Sequence, residues 1–310
     1  MGNEEHHSAV DPVTRELIST SASAIAKFNT EDYGGCNRRW AMHYVFGYKE
    51  PHTKSQETGV LVHSQIEHFL KSGQDVLGPI AAAGKHLLTT PGHDLLVEWG
   101  MNNTPKPPPV NGKEVHWFPP HESLLRIAGV PVIGFIDTVN PRGTYTDARG
   151  VTVADPPGTV EVNDNKTTGN LANAKKGESL IRTTQMTTYA LWTIERFPLA
   201  TGVRLSHTNF QTSKGTGATK ETALISLAII AARKVELTAT VEQMKRVAKV
   251  TTWKDVPPNL SACSAFKNKY SGGCPYLTEC FKGDPFQQMQ IKHGSSHGGT
   301  NTMALTDKIR

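Results

Sequence analysis

Three residues bring chemistry to this sequence: Asp137 near the end of GVPVIGFIDTVN (129–140), and Asp164 with Lys166 inside VEVNDNKTTG (160–169). Side chains on a strand alternate between its two faces, so residues two apart point the same way. Val162, Asp164 and Lys166 therefore share a face, and Ile133, Phe135 and Asp137 share another. One strand ends in a carboxylate after an apolar, β-branched run, and the next ends in an acid-x-lysine. Such a pair can hold a divalent cation. Oxygen ligands suit Mg²⁺ or Mn²⁺, two carboxylates leave positions open for phosphate and water, and a nearby lysine can orient the water or steady charge on the phosphate. An isolated Asp-x-Lys is more often a surface ion pair, so the elements around it must decide.

Those elements read in order. From Ser21, SASAIAKFNTEDYGGCNRRWAMHYVFGYKE predicts two short helices, the first capped by serine, the second starting at Cys36 and carrying Trp40, Tyr44 and Val45 at helical spacing. A helix over 57–73 has Val60, Ile66, Phe69 and Leu70 as its apolar stripe and sets His63 and Glu67, four apart, on one face. A strand is predicted at 95–101, an exposed proline-rich loop at 102–113 and a turn-rich hairpin connection at 141–159. After a loop with Lys175 and Lys176, a helix over 179–197 buries Ile181, Ala190, Leu191 and Ile194 and aligns Gln185 with Tyr189. From spacing alone, Gln185 is solvated and Tyr189 is core. A strand at 202–215 and a long amphipathic helix at 221–249 follow. Strand, strand, helix, strand is the order of an α/β protein with a mixed central sheet flanked by helices.

Together these motifs resemble the RecB-like branch of the PD-(D/E)XK nucleases, over roughly Ser21 to Phe281. The resemblance implies a restriction-endonuclease-like core and gives the residues roles. Asp137, Asp164 and Lys166 become catalytic. His63, four residues after Gly59, becomes a metal ligand with Asp137, Asp164 and the carbonyl of Asn165. Gln185 and Tyr189 become the Gln-x-x-x-Tyr pair that braces the catalytic lysine and DNA. Glu98 lies near a glutamate that family members often carry on the first core strand, and is secondary. The Cys36, Arg38–Arg39, aromatic order resembles the family's opening.

The four cysteines are Cys36, Cys263, Cys274 and Cys280. A cytosolic chain disfavours disulfides, which leaves metal ligation or independent structural cysteines. Paired short knuckles of the usual zinc kind are absent, and four thiolates also serve a [4Fe–4S] cluster. Several RecB-like nucleases, including the AddB nuclease domain and CRISPR-associated adaptation nucleases, carry one cysteine before the core and three after it. The resemblance therefore implies a structural iron–sulfur staple joining the N- and C-terminal segments, with zinc as the alternative. The sequence departs from the family in the gap of ten residues before Cys274, where Ser271 precedes Gly272–Gly273.

The chain's 310 residues, 37% of them hydrophobic, suffice for one globular unit, expected over 21–281 between a flexible start at 1–20 and a flexible tail at 282–310. The run LISLAIIAA (224–232) is too short to span a membrane, and the start lacks a signal pattern, so a cytoplasmic protein is expected. A net charge of +5 mildly favours a polyanionic partner. The expected function is a Mg²⁺- or Mn²⁺-dependent DNA exonuclease acting on single-stranded DNA or free ends, with protein partners unspecified. Two rivals are a non-catalytic DNA-binding or recombination-complex subunit on the same scaffold, and an enzyme for RNA or for another step in nucleic-acid modification.

Overall fold

A computed structural model describes residues 9–282, apart from 33, 52, 110–114, 116–117, 214 and 266–273. The N-terminal residues 1–8, the Ser271–Gly273 loop and the tail from 283 lie outside the described residues. In chain order the elements are β1 (Ala9–Val10), β2 (Leu17–Ser19), α1 (Ala22–Phe28), α2 (Asn37–Tyr44), α3 (Lys54–Ser72), α4 (Pro79–Ala82) and β3 (Leu96–Gly100). Then come β4 (Arg126–Ile127), β5 (Val130–Pro131), β6 (Phe135–Asn140), β7 (Thr144–Thr146), β8 (Thr152–Ala154) and β9 (Thr159–Thr168). The last are α5 (Thr184–Arg196), β10 (Gly202–Gln211), β11 (Ala218–Ser226), α6 (Leu227–Ala248), α7 (Leu260–Ala265) and α8 (Leu277–Cys280).

The central sheet has the order β11-β10-β9-β6-β3. Only β9 and β10 run parallel. Parallel neighbours need a crossover, and α5 supplies it. Val139, Val162 and Leu205 on one face meet Leu191 and Trp192 of α5, Ile230 and Val241 of α6, and Ile25 and Phe28 of α1 in the main core. A second cluster joins Val62, Ile66 and Phe69 of α3 to Val97 and Phe210. The chain is a mixed α/β fold with helices flanking the sheet. Among the described residues, no helix is long and apolar enough to cross a membrane.

Several sequence expectations shift. Residues 9–20 form a β1–β2 hairpin whose Leu17, Ser19 and Thr20 are buried, so the start is structured from residue 9. On α3, Val62 takes the buried place expected of Val60, which is 67% exposed. The 129–140 run is not one strand, because Gly134 adopts φ 131° and separates β5 from β6. Helix α5 starts at Thr184 because the Thr183 hydroxyl accepts the Met186 N–H; the preceding SLIR is a 3₁₀ turn. The 221–249 helix begins only at Leu227. Residues 218–226 instead form β11, whose burial alternates from Ala223 to Ser226 and whose end is the Ser226 helix cap.

The missed strand carries a buried charge. Lys220 Nζ lies 2.9 Å from Glu161 Oε1, with both side chains at most 1% exposed, and the Ser206 hydroxyl donates to the same oxygen. Removing one partner of a buried pair leaves the other charge uncompensated. Lys220→Met should therefore cost about 3–5 kcal/mol in urea unfolding, and the Lys220→Met/Glu161→Leu double variant much less. Equal losses in both would contradict the pairing.

Candidate active site

The sheet registers line up a row of polar residues. His207 on β10 pairs with Asp164 on β9. The β6–β9 register, Val139 with Val162, continues to set Asp137 opposite Asp164. Val97 with Thr138 and Trp99 with Ile136 bracket Glu98 against Asp137. Opposite residues share a face, so Glu98, Asp137, Asp164 and His207 run across four strands on one side of the sheet.

The ladder between β6 and β9 stops at Thr138–Asn163, and the Asn165 N–H donates to Asp137 Oδ2 at 2.7 Å. Asp137 thereby satisfies the backbone where the strands part. His63 Nδ1 approaches Asp137 Oδ2 at 3.4 Å. Gly59 brings α3 this close, since a Cβ there would stand 3.1 Å from Thr167 Oγ1. His63, Glu98 and Asp137 offer ligand atoms all within 4.8 Å of one another, the one such His/Cys/Asp/Glu group among the described residues. Lys166 Nζ stands 2.6 Å from Asp164 Oδ2. Gln185 Nε2 donates to Asp164 Oδ1 at 3.2 Å and to the Tyr189 hydroxyl at 2.9 Å. The Gln185–Tyr189 brace thus meets Asp164, where the sequence reading aimed it at Lys166. Asn165 presents its N–H to Asp137, and its side-chain oxygen accepts from Asn163.

Two residues outside the predicted site join it. Glu98, treated as secondary in the sequence, sits in the cluster with φ 49°, a left-handed backbone that costs a non-glycine residue energy and often marks a functional position. His207 lies 3.6 Å from Asp164 Oδ2 and is 5% exposed. Its signal was available: it is two residues from both Leu205 and Asn209, on the inward face of a predicted strand.

Burial shapes the charges. It raises Asp137 to about 7, with Asp164 adding and Lys166 offsetting only part. It raises Glu98 to about 7 as well, with Asp137 adding. Burial also pushes Asp164 up, but Lys166 and His207 outweigh it and hold Asp164 below its ordinary value. Lys166 would be lowered by burial, yet Asp164 and Asp137 keep it above the usual lysine range. Burial lowers His207 to about 4, which leaves a neutral imidazole at pH 7.

Two grooves flank the row. One of about 430 Å³ is lined by Lys166, Lys175, Gln185, His207 and Asn209; the other, about 530 Å³, by His63, Glu67, Glu98, Phe135 and Asp137. Ser23 lines both.

A family model described as the PD-(D/E)XK nuclease superfamily matches residues 20–280. The chain belongs to that superfamily. Among solved structures, this PD-(D/E)XK chain is similar to the crystal structure of a candidate exonuclease from Eubacterium rectale. The likeness is distant: 11% identity over 84% of this chain and 89% of that one, with a TM-score of 0.44. No curated protein matches the chain.

Away from the row, the nuclease chain gathers its four cysteines, none in a disulfide. Cys36 stands just before α2 without a side-chain capping bond, and its sulfur instead accepts the Asn259 N–H at 3.3 Å. The Cys274 N–H donates to the Cys263 carbonyl at 3.2 Å, and Arg38 donates to Cys280 Sγ at 3.5 Å. Burial pushes the Cys263 thiol up to about 12, and each of the other three cysteines adds to it. Cys274 rises to about 11, again chiefly through burial.

The raised carboxyls predict how metal and pH interact. Between about pH 4 and 7 the folded protein keeps protons on Glu98 and Asp137 that the unfolded chain releases. Their contribution to stability is therefore full at low pH and falls as pH rises through that window. A divalent cation replaces those protons, so Mn²⁺ should raise the Tm more at pH 8 than at pH 6. Equal shifts at both pH values, measured by thermal unfolding, would contradict this.

Proposed function

We propose that this chain is a metal-dependent deoxyribonuclease of the RecB-like branch, an exonuclease acting in the cytoplasm on single-stranded DNA or free ends. What carries the reading is the His63, Glu98, Asp137 ligand cluster beside the Asp164–Lys166 pair. The donor set fits a divalent cation: two hard carboxylates suit Mg²⁺ or Mn²⁺, and the imidazole of His63 tilts the preference towards Mn²⁺. Asp164 completes the set from the neighbouring strand, and the Asn165 carbonyl is the remaining candidate ligand. When bound, such an ion lowers the pKa of a water and offsets the charge of the scissile phosphate.

The side chains have separate tasks. Lys166, held charged, is no proton acceptor; its ammonium steadies negative charge on the phosphate and orients the attacking water. Gln185, through its amide, fixes the Asp164 carboxylate that holds Lys166. Tyr189, kept protonated chiefly by burial, anchors Gln185. Neutral His207 lines the groove that carries Lys175, a surface that suits the DNA backbone.

For the cysteines we propose a structural [4Fe–4S] cluster. Their convergence from both ends of the chain supports it: Cys36 of the N-terminal segment meets Asn259, and Cys263, Cys274 and Cys280 follow in the C-terminal segment. Four thiolates are the ligand set of such a cluster. Zinc remains the alternative.

Asp164→Ala and Lys166→Ala should each lower DNA cleavage about 10²-fold or more while leaving the fold and iron content unchanged. Labelled single-stranded DNA, linear duplex, closed circular DNA and RNA, each with and without Mn²⁺, test the substrate. Full activity in both variants would remove the catalytic assignment, and cleavage of closed circles would make the enzyme an endonuclease. Protein purified without oxygen should be brown and contain iron; a colourless, zinc-loaded protein would contradict the cluster.

A further inference from the structure

The wall of the larger groove contains more negative charge than one ligand cluster needs. Glu67 stands one helical turn beyond His63 on α3, and Glu98 is already a member of the cluster. Between them lies Lys106. Its Nζ is 3.5 Å from Glu67 Oε2 and 3.7 Å from Glu98 Oε2, and its side chain is 10% exposed. The other Glu67 oxygen is engaged by Lys71 at 2.7 Å.

Backbone geometry delivers Lys106 to this point. After β3 the chain turns tightly, with Asn103 N–H donating to the Gly100 carbonyl and Gly100 N–H to the Thr104 carbonyl. Pro105 then bridges back to Trp99, and the Lys106 N–H donates to the carbonyl of Glu98 at 2.8 Å. A lysine that is nine-tenths buried costs free energy unless its charge is compensated, and two carboxylate oxygens compensate it here. Both contacts are longer than a good hydrogen bond, so the interaction is mainly electrostatic.

A second divalent ion in a two-metal site stands about 3.5–4 Å from the first, close enough for one carboxylate to serve both. On this wall, the position between Glu98 and Glu67 is where oxygens from two carboxylates converge, and Lys106 fills it. We propose that Lys106 is the built-in cation of that second position, so the site takes one divalent ion and not two. This rests on the metal reading given above. The fixed ammonium offsets charge on Glu98 while leaving Glu98, His63 and Asp137 to a single metal.

Counting Mn²⁺ ions by electron paramagnetic resonance on the full chain tests the assignment without relying on activity. Wild type should bind one Mn²⁺ per chain, and Asp137→Asn should lose it. Lys106→Gln and Lys106→Met, the latter keeping the apolar stem, should each bind two. Lys106→Arg should return to one, as should Lys106→Gln with Glu67→Gln. Two ions in wild type, or one in both neutral Lys106 variants, would overturn the role of Lys106 while leaving the metal site standing. No ion in wild type, or binding indifferent to Asp137→Asn, would overturn the metal reading itself and this proposal with it.

Discussion

Like charges placed side by side on one buried face of a sheet repel, and the molecule is organised around relieving that repulsion. Glu98, Asp137 and Asp164 occupy adjacent strands at a single level of the sheet. Each receives a different form of relief. Asp164 is compensated by Lys166 and a Gln185 hydrogen bond, Asp137 accepts a backbone N–H, and Glu98 has Lys106 nearby. The unequal relief separates their properties: Asp164 is held below its usual value, while burial leaves Asp137 and Glu98 near 7 and ready to exchange protons for a cation.

The fold makes that inequality possible by parting two strands at the right level. If β6 and β9 stayed paired to their ends, main-chain carbonyls would take the Asn165 N–H, and Asp137 would have no backbone partner. Because they diverge, the Asp137 side chain takes up the unmatched donor. The two flanking helices enter from different directions. Helix α5, as the obligatory crossover between parallel strands, brings Gln185 and Tyr189 over Asp164, while α3 brings His63 to Asp137 through the close approach at Gly59.

Much of this could be read from the sequence where period and type agreed. The alternation around Asp164 and Lys166 identified β9 because each side chain's face follows from its parity, and the four-residue spacing on α3 set His63 on its helix; on α5 spacing alone leaves Gln185 solvated, whereas it is half-buried against Asp164. Legibility failed where tertiary contact overrides local pattern. ETALIS reads as the opening of the 221–249 helix and instead ends β11, which pairs along β10 and sets Lys220 against Glu161 two strands away. Val60 matched an apolar stripe but faces the groove, since the register of α3 against the sheet is set by Val62 and Ile66. Glu98 joins the row through cross-strand register, which a single sequence does not print, whereas His207 was within reach through its strand parity with Leu205 and Asn209.

The loop after β3 has an effect beyond the catalytic row. β3 is an edge strand, and an edge strand with unpaired backbone groups is a template on which another chain can add. Here the loop folds Pro105 back onto Trp99, and proline has no N–H to offer an incoming strand. The same few residues that set a charge beside Glu98 therefore also blunt this border of the sheet against self-association.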